Sequence, residues 1–297
     1  MPDKLKAHEI LRETLAYLQF LYKQEGLQPG ALQNIGLKPQ WTVLIGTDHQ
    51  CGMAINFTGK HQVYDIPEPD LDLAVLKTLI GRNLTEVASA NLDADSLPMR
   101  AIGLAALSAL SQPFLTPTAL AKRGFLSAEN RHFLNDLITP RDIVTVIGFG
   151  GLIRSLLGKC KELHVTDMRP RESFINTVIG QTVEYGPLGL FIHGEKENEA
   201  VVKKSDVVVI TGSTLVNRTF DELMSYTAHA RTVGLYGPTA GLIPDLFFKN
   251  NIDFILSHWV KDPARFAYDM ANDIDMEFTL RTYQNHQVIW KPKGVKS

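Results

Sequence analysis

Five short apolar runs in the second half of the chain each end in residues able to hold a ligand. Ile143–Ile147 leads into Gly148-Phe149-Gly150-Gly151, and Leu163–Asp167 ends on a carboxylate. Asp206–Ile210 gives way to Thr211-Gly212-Ser213-Thr214, and Arg231–Leu235 to Tyr236-Gly237-Pro238-Thr239. Ile252–Leu256 is followed by Ser257-His258-Trp259. Glycine permits tight turns and close approach of backbone N–H groups to a ligand. A helix starting after the Gly148–Gly151 turn would favour an anion at its N-terminus. Asp167 follows Gly148 at about the 20-residue interval at which the acid of a dinucleotide fold reaches a ribose. The fingerprint is incomplete, because Ile153 occupies the third glycine position. S-adenosylmethionine or another nucleotide-like ligand fits as well as NAD. The competing expectation is a tight βα turn that Asp167 merely caps.

Thr211–Thr214 can cradle a phosphate or carboxylate through N–H and hydroxyl donors. Alternatively the turn satisfies itself, with Asn217 and Thr219 capping the next helix. His258 is a candidate metal ligand, a candidate acid or base, or a bridge between backbone groups. His49 and Cys51 would share a face of a strand, but Cys51 is in register with Met53, Ile55 and Phe57 and reads as core. Cys160 reads as packing, His164 as structural, and His193 with Glu195 as a loop pair. No P-loop, HExxH or GxSxG motif is present, so no catalytic residue is assigned.

The elements that carry these tips alternate strand and helix. Helices are expected at Leu152–Leu157, Glu197–Lys204, after Thr219 (a capping box with Glu222), at Ile243–Lys249 and from Asp262-Pro263. Such βα units with non-alternating apolar strands predict a parallel sheet covered on both faces. Ligands bind such sheets outside the carboxyl ends of the strands. The fold expected is therefore α/β, with a Rossmann-like parallel-sheet domain over 141–297. A helix over Ser127–Ile138 would serve as linker within 121–140.

Residues 1–120 read as a smaller α+β domain. Leu11, Leu15, Leu18 and Tyr22 form one helical stripe that Gly26 stops. Trp41–Ile45, Cys51–Phe57 and His61–Tyr64 predict a three-stranded meander. Helices are expected at Leu71–Ile80, at Leu84–Ala90 and from Ser96 through Leu110. In the last of these Gly103, Ala105, Ala106 and Ala109 are small enough for a neighbour to pack closely.

The chain has 297 residues, a formal net charge of −2 and two cysteines. That charge does not favour a general nucleic-acid or membrane-surface role, because both need a basic face. Two cysteines make no disulfide framework, and the N-terminus lacks the apolar run of a signal peptide. A cytoplasmic setting is expected, with a small-molecule ligand, no nucleic-acid or membrane partner and a homodimer as the default assembly.

Val144-Thr145-Val146-Ile147-Gly148-Phe149-Gly150-Gly151 resembles a segment of the heavy-metal-chelation family. So do Gly237-Pro238-Thr239 and, most specifically, Asp206-Val207-Val208-Val209-Ile210-Thr211-Gly212-Ser213-Thr214-Leu215-Val216-Asn217. The resemblance implies a Rossmann-like C-terminal domain preceded by one resembling the enolase N-terminal fold. Arg100–Leu110 is similar to the family's helix in the first domain, with Ser108 where many members carry asparagine. By resemblance, Gly148, Gly150, Gly151, Thr211, Gly212, Ser213, Thr214, Gly237, Pro238, Thr239 and His258 would line an interdomain cleft. The implied role is heavy-metal chelation or handling of a metal-chelating metabolite, with a divalent heavy metal or a nucleotide-like ligand bound.

Overall fold

The structure is a computed structural model that describes residues 6–38, 40–47, 50–58, 73–129, 133–169, 189–272, 282 and 284–292. His49 and the expected strand His61–Tyr64 lie outside the described residues.

Helix α1 (Ala7–Gln24) buries Leu11, Leu15, Leu18 and Tyr22 along one face, and the chain leaves it through Gly26 at φ +66°. Three antiparallel strands follow, β1 (Leu32–Lys38), β2 (Trp41–Gly46) and β3 (Cys51–Ile55), paired in that order. The meander thus starts one strand earlier than its alternation suggests. Next come α2 (Leu73–Leu79), α3 (Leu84–Asn91), α4 (Leu97–Ser111) and α5 (Pro117–Lys122).

Helix α4 buries every residue except Leu97 and Met99. Its small residues do what their size allows. A Cβ on Gly52 of β3 would lie 1.9 Å from the Ala105 carbonyl oxygen, and one on Gly103 would lie 2.5 Å from the Leu92 nitrogen. The strand and α3 therefore touch the α4 backbone directly.

The remaining strands are β4 (Leu126–Ala128), β5 (Ile143–Ile147), β6 (Glu162–Asp167), β7 (Leu190–Gly194), β8 (Val207–Thr211), β9 (Thr232–Tyr236), β10 (Phe254–Val260) and β11 (Gln284–Trp290). They form one eight-stranded sheet of order β4-β11-β10-β9-β8-β5-β6-β7. The six strands from β10 to β7 are parallel; β11 and β4 add an antiparallel edge. Alternate residues pack on opposite faces. Val208 and Ile210 join a core continuous with α1 and α4, while Val207 and Val209 join Val144, Val146 and Phe254 on the other side. Burial on both faces is what makes these strands uniformly apolar.

The intervening helices are short: α6 (Phe133–Leu137), α7 (Leu152–Leu156), α8 (Asn198–Val202), α9 (Ser213–Asn217), α10 (Phe220–Tyr226), α11 (Asp245–Lys249) and α12 (Pro263–Ala271). The expected linker helix is cut to α6, because Ser127 is drawn into β4 by antiparallel pairing with Ile289. His193, expected in a loop, lies on β7. The Thr219–Glu222 capping box does not form. Thr219 Oγ1 donates instead to Asn217 Oδ1 at 2.8 Å, and Glu222 Oε1 accepts from the Tyr226 hydroxyl. Asp262 does cap α12, accepting from the Arg265 N–H at 3.0 Å. Among the described residues no helix is long and apolar enough to cross a membrane.

Candidate functional site

The large sheet grows outward from β5 in both directions: β6 and β7 on one side, β8, β9 and β10 on the other. Connections leaving β5 and β8 therefore diverge to opposite faces, and a crevice opens between their carboxyl ends. A cavity of about 970 Å³ occupies this place. Trp41 of β2, Ile55 of β3 and Phe57 just after it wall one side; the tips of β5, β6, β8, β9 and β10 wall the other.

Ten of the residues singled out from the sequence line this cavity: Gly148, Gly150, Gly151, Asp167, Thr211, Ser213, Thr214, Gly237, Pro238 and His258. Gly212 and Thr239 do not. A Cβ on Gly212 would lie 2.5 Å from the Ala240 nitrogen, so this glycine serves backbone packing. Thr239 is buried, and its Oγ1 accepts from the Ile55 N–H at 3.1 Å, tying the β9 tip to β3. Ser108 makes a parallel tie, donating from α4 to the Gly241 carbonyl at 2.9 Å.

The Gly148–Gly151 turn is held open by its surroundings. Gly148 sits at φ +94°, where a side chain would be strained, and its carbonyl accepts from the Tyr236 hydroxyl. Asp167 faces this turn, but its carboxylate is fully engaged. Oδ1 accepts from the Arg169 N–H at 2.8 Å and Nε at 2.9 Å; Oδ2 accepts from the Phe149 N–H at 2.7 Å and Arg169 Nη2 at 2.9 Å. A carboxylate offers about four lone-pair positions, and all four are taken. Asp167 thus braces the turn, and has no acceptor left for a ribose. The anion expectation also weakens, since α7 and α9 are five residues each and carry little macrodipole.

The Thr211–Thr214 turn largely satisfies itself. Ser213 Oγ donates to Thr211 Oγ1 at 3.1 Å and Thr214 Oγ1 to the Thr211 carbonyl at 2.7 Å. Asn217 Oδ1 accepts from the Thr219 N–H and hydroxyl.

Residues that sequence reasoning missed supply much of the cavity's chemistry. His286 on β11 stands directly opposite His258 on β10, with ring centroids 4.2 Å apart, and both rings face the cavity. Thr166 and Asn198 line it too, although their Oγ1 and Oδ1 atoms are themselves buried and have no hydrogen-bond partner. Trp41, Phe57, Phe149 and Tyr236 add aromatic surface, and the Arg169 side chain links Asp167 to the Phe149 carbonyl. Phe149 and Tyr236 belong to strand-end turns already read from the sequence, whereas His286 left no periodic signal, because Gln284-Asn285-His286-Gln287 is polar throughout.

The cysteines stand outside this chemistry. Cys51 packs with Val43, Ile45, Met53 and Phe266, and burial pushes its thiol up to about 12. Burial, with the nearby Asp142 charge, pushes Cys160 up to about 11. Neither supplies thiolate at neutral pH. Among the described residues no group of three or more His, Cys, Asp or Glu side chains is arranged to hold a metal ion.

Comparison with known proteins agrees with this architecture. Residues 134–278 match the DUF364 family model and residues 22–111 the DUF4213 model, both described as "Putative heavy-metal chelation". The chain belongs to the family that these two models describe. An uncharacterized protein of Methanocaldococcus jannaschii is 26% identical over 187 residues, 62% of this chain. The chain spans 62% of that relative's length. A DUF364-family crystal structure of unknown function from Pyrococcus horikoshii superposes with a TM-score of 0.65 at 16% identity, covering 94% of this chain and 98% of that one. Another from Desulfitobacterium hafniense gives 0.66 at 19%, covering 92% and 98%. At these identities the likeness is one of fold.

Proposed function

We propose that the protein binds a drug-sized organic molecule in the cleft between its two sheets, and that this molecule chelates a heavy metal. One observation carries the proposal: a 970 Å³ cleft, walled by aromatic side chains, in whose lining the His258 and His286 imidazoles stand side by side. Ligand pockets of roughly 300–1,000 Å³ with mostly apolar walls and a few converging polar groups are the usual form of small-molecule sites. The family description adds metal, and the His258 and His286 imidazoles are the donors in the cleft suited to it.

The strand order around β5 is that of doubly wound nucleotide-binding sheets, so we take the second unit as a Rossmann-like domain. We take the first, over residues 1–120, as its enolase-N-terminal-like companion. A nucleotide or S-adenosylmethionine would compete for the same cleft, but Asp167 offers its ribose nothing.

The test uses an aromatic bidentate chelator, 1,10-phenanthroline, with and without Ni²⁺, in calorimetry and thermal melts. The nickel complex is expected to bind and raise the melting midpoint, and Trp41→Ala to weaken it at least tenfold. Silence towards the chelator and its complex, alongside a response to NAD or S-adenosylmethionine, would overturn the proposal.

A further inference from the structure

Among the described residues, four that are not glycine hold a left-handed backbone: Gln40 at φ +68°, Phe57 at +59°, Arg218 at +65° and Asn251 at +66°. Asparagine tolerates this conformation. The Arg218 guanidinium has work elsewhere, donating to the Asp93 and Ala94 carbonyls. Neither account covers Gln40 and Phe57, and both line the cleft beside Trp41 and Ile55. For a bulky aromatic residue a positive φ is an outlier. Glycine adopts it freely, and the cleft uses glycine for it at Gly148 (φ +94°) and Gly237 (φ +96°). At positions 40 and 57 the chain keeps a side chain instead.

The two positions are neighbours across the end of the β2–β3 ladder. Gln40 precedes Trp41, Phe57 follows Ile55 by two, and Trp41 pairs with Ile55. The Gln40 N–H donates to the Thr58 carbonyl at 2.7 Å, and the Gln40 carbonyl accepts from the Asn56 N–H at 2.9 Å. Asn56, itself 1% exposed, closes the turn around Phe57. Its Oδ1 accepts from the Thr58 N–H at 3.0 Å and from the Thr58 hydroxyl at 2.9 Å. Strained backbone persists only where its surroundings over-determine it, and it collects at ligand clamps. These bonds supply that constraint at the cleft wall.

We propose that Gln40 and Phe57 are the specificity-determining pair of the cleft, a role that rests on the small-molecule site proposed above. The Phe57 ring packs into the core and also lines the cleft, so it offers the ligand a fixed apolar surface. Gln40 is half-buried, and its amide carries both donors and an acceptor. Together they take a ligand whose flat ring carries a hydroxyl or amide on its rim: the ring bears on Phe57, and the rim group pairs with Gln40. A site built to hydrogen-bond such a group rejects the analogue that lacks it, whereas an apolar wall discriminates weakly between ligands of similar shape. The strained backbone keeps both side chains aimed before the ligand arrives, so little ordering is left for binding to impose.

The test compares 1,10-phenanthroline with 4,7-dihydroxy-1,10-phenanthroline, each as its Ni²⁺ complex, by calorimetry on the full chain. Wild type is expected to favour the dihydroxy probe about tenfold, and Gln40→Gly to erase that preference. Phe57→Leu, which keeps apolar bulk without the ring, should weaken both probes alike by about 3–10-fold. The strain has a readout that needs no ligand: Gln40→Gly should melt at least about 2 °C above Gln40→Ala, the reverse of the order in ordinary backbone. Melts of every variant also establish that each folds. Gln40→Ala melting above Gln40→Gly would overturn the inference. So would the same probe preference in wild type and Gln40→Gly, or wild-type affinity in Phe57→Leu; these outcomes leave the cleft itself standing. Failure of both probes to bind wild type would remove the cleft proposal and this pair with it.

Discussion

Replacing Asp167 with asparagine separates a structural brace from a ligand-binding acid. In the folded chain the carboxylate accepts four hydrogen bonds, three of them from Arg169, and its side chain is 6% exposed. An amide keeps one accepting oxygen and turns an NH₂ towards donors that need an acceptor. Removing one partner of a buried ion pair costs about 3–5 kcal/mol. Arg169 is 22% exposed, so water recovers part of that, and the lower end, about 3 kcal/mol, is the expected loss. For a chain of this size, at roughly 2–4 °C per kcal/mol, the melting midpoint should drop by about 6 °C or more. The assay is thermal and urea unfolding of the ligand-free protein. Were Asp167 instead a free acid awaiting a ribose, Asp167→Asn would change stability by no more than about 0.5 kcal/mol. The effect would then appear only in nucleotide affinity. A ligand-free midpoint unchanged to within about 1–2 °C would refute the brace.

Two further outcomes follow from packing and charge. Gly52→Ala places a methyl 1.9 Å from the Ala105 oxygen and 2.4 Å from the Ala109 nitrogen, both backbone of a buried helix. The cost should reach about 3 kcal/mol or exceed it; a circular-dichroism melt identical to wild type would show that β3 and α4 separate freely. Asp142 is pushed up by burial, but the Thr139 N–H at 2.6 Å and the Arg231 guanidinium outweigh this and hold its carboxyl below the ordinary 3.8. Its stabilisation is therefore full above 3.8 and lost as pH falls through the lower folded value. The gap in urea midpoint between wild type and Asp142→Asn should be wide at neutral pH and close on acidification below 3.8; a gap independent of pH would contradict that assignment.

Much of what depends on neighbours along the chain was legible from the residues alone, the Thr219–Glu222 capping box being an exception. The spacing of Leu11, Leu15, Leu18 and Tyr22 gave α1, and apolar runs between turn residues gave β5, β6, β8, β9 and the start of β10. Glycine, hydroxyl and imidazole at strand ends placed ten residues around one cavity, because parallel strands present their carboxyl ends on the same side. What depends on residues distant in sequence was not legible. Strand β4 exists because β11 runs beside it, and His258 meets His286 because β10 and β11 pair in one register. The role of Asp167 was open until the Phe149 N–H, from the turn after β5, completed the set of donors that Arg169 begins, and that of Thr239 until β3 came within reach of its hydroxyl. Periodicity and turn chemistry are local and are written residue by residue; the occupancy of a hydrogen-bonding atom belongs to whichever group the fold brings against it.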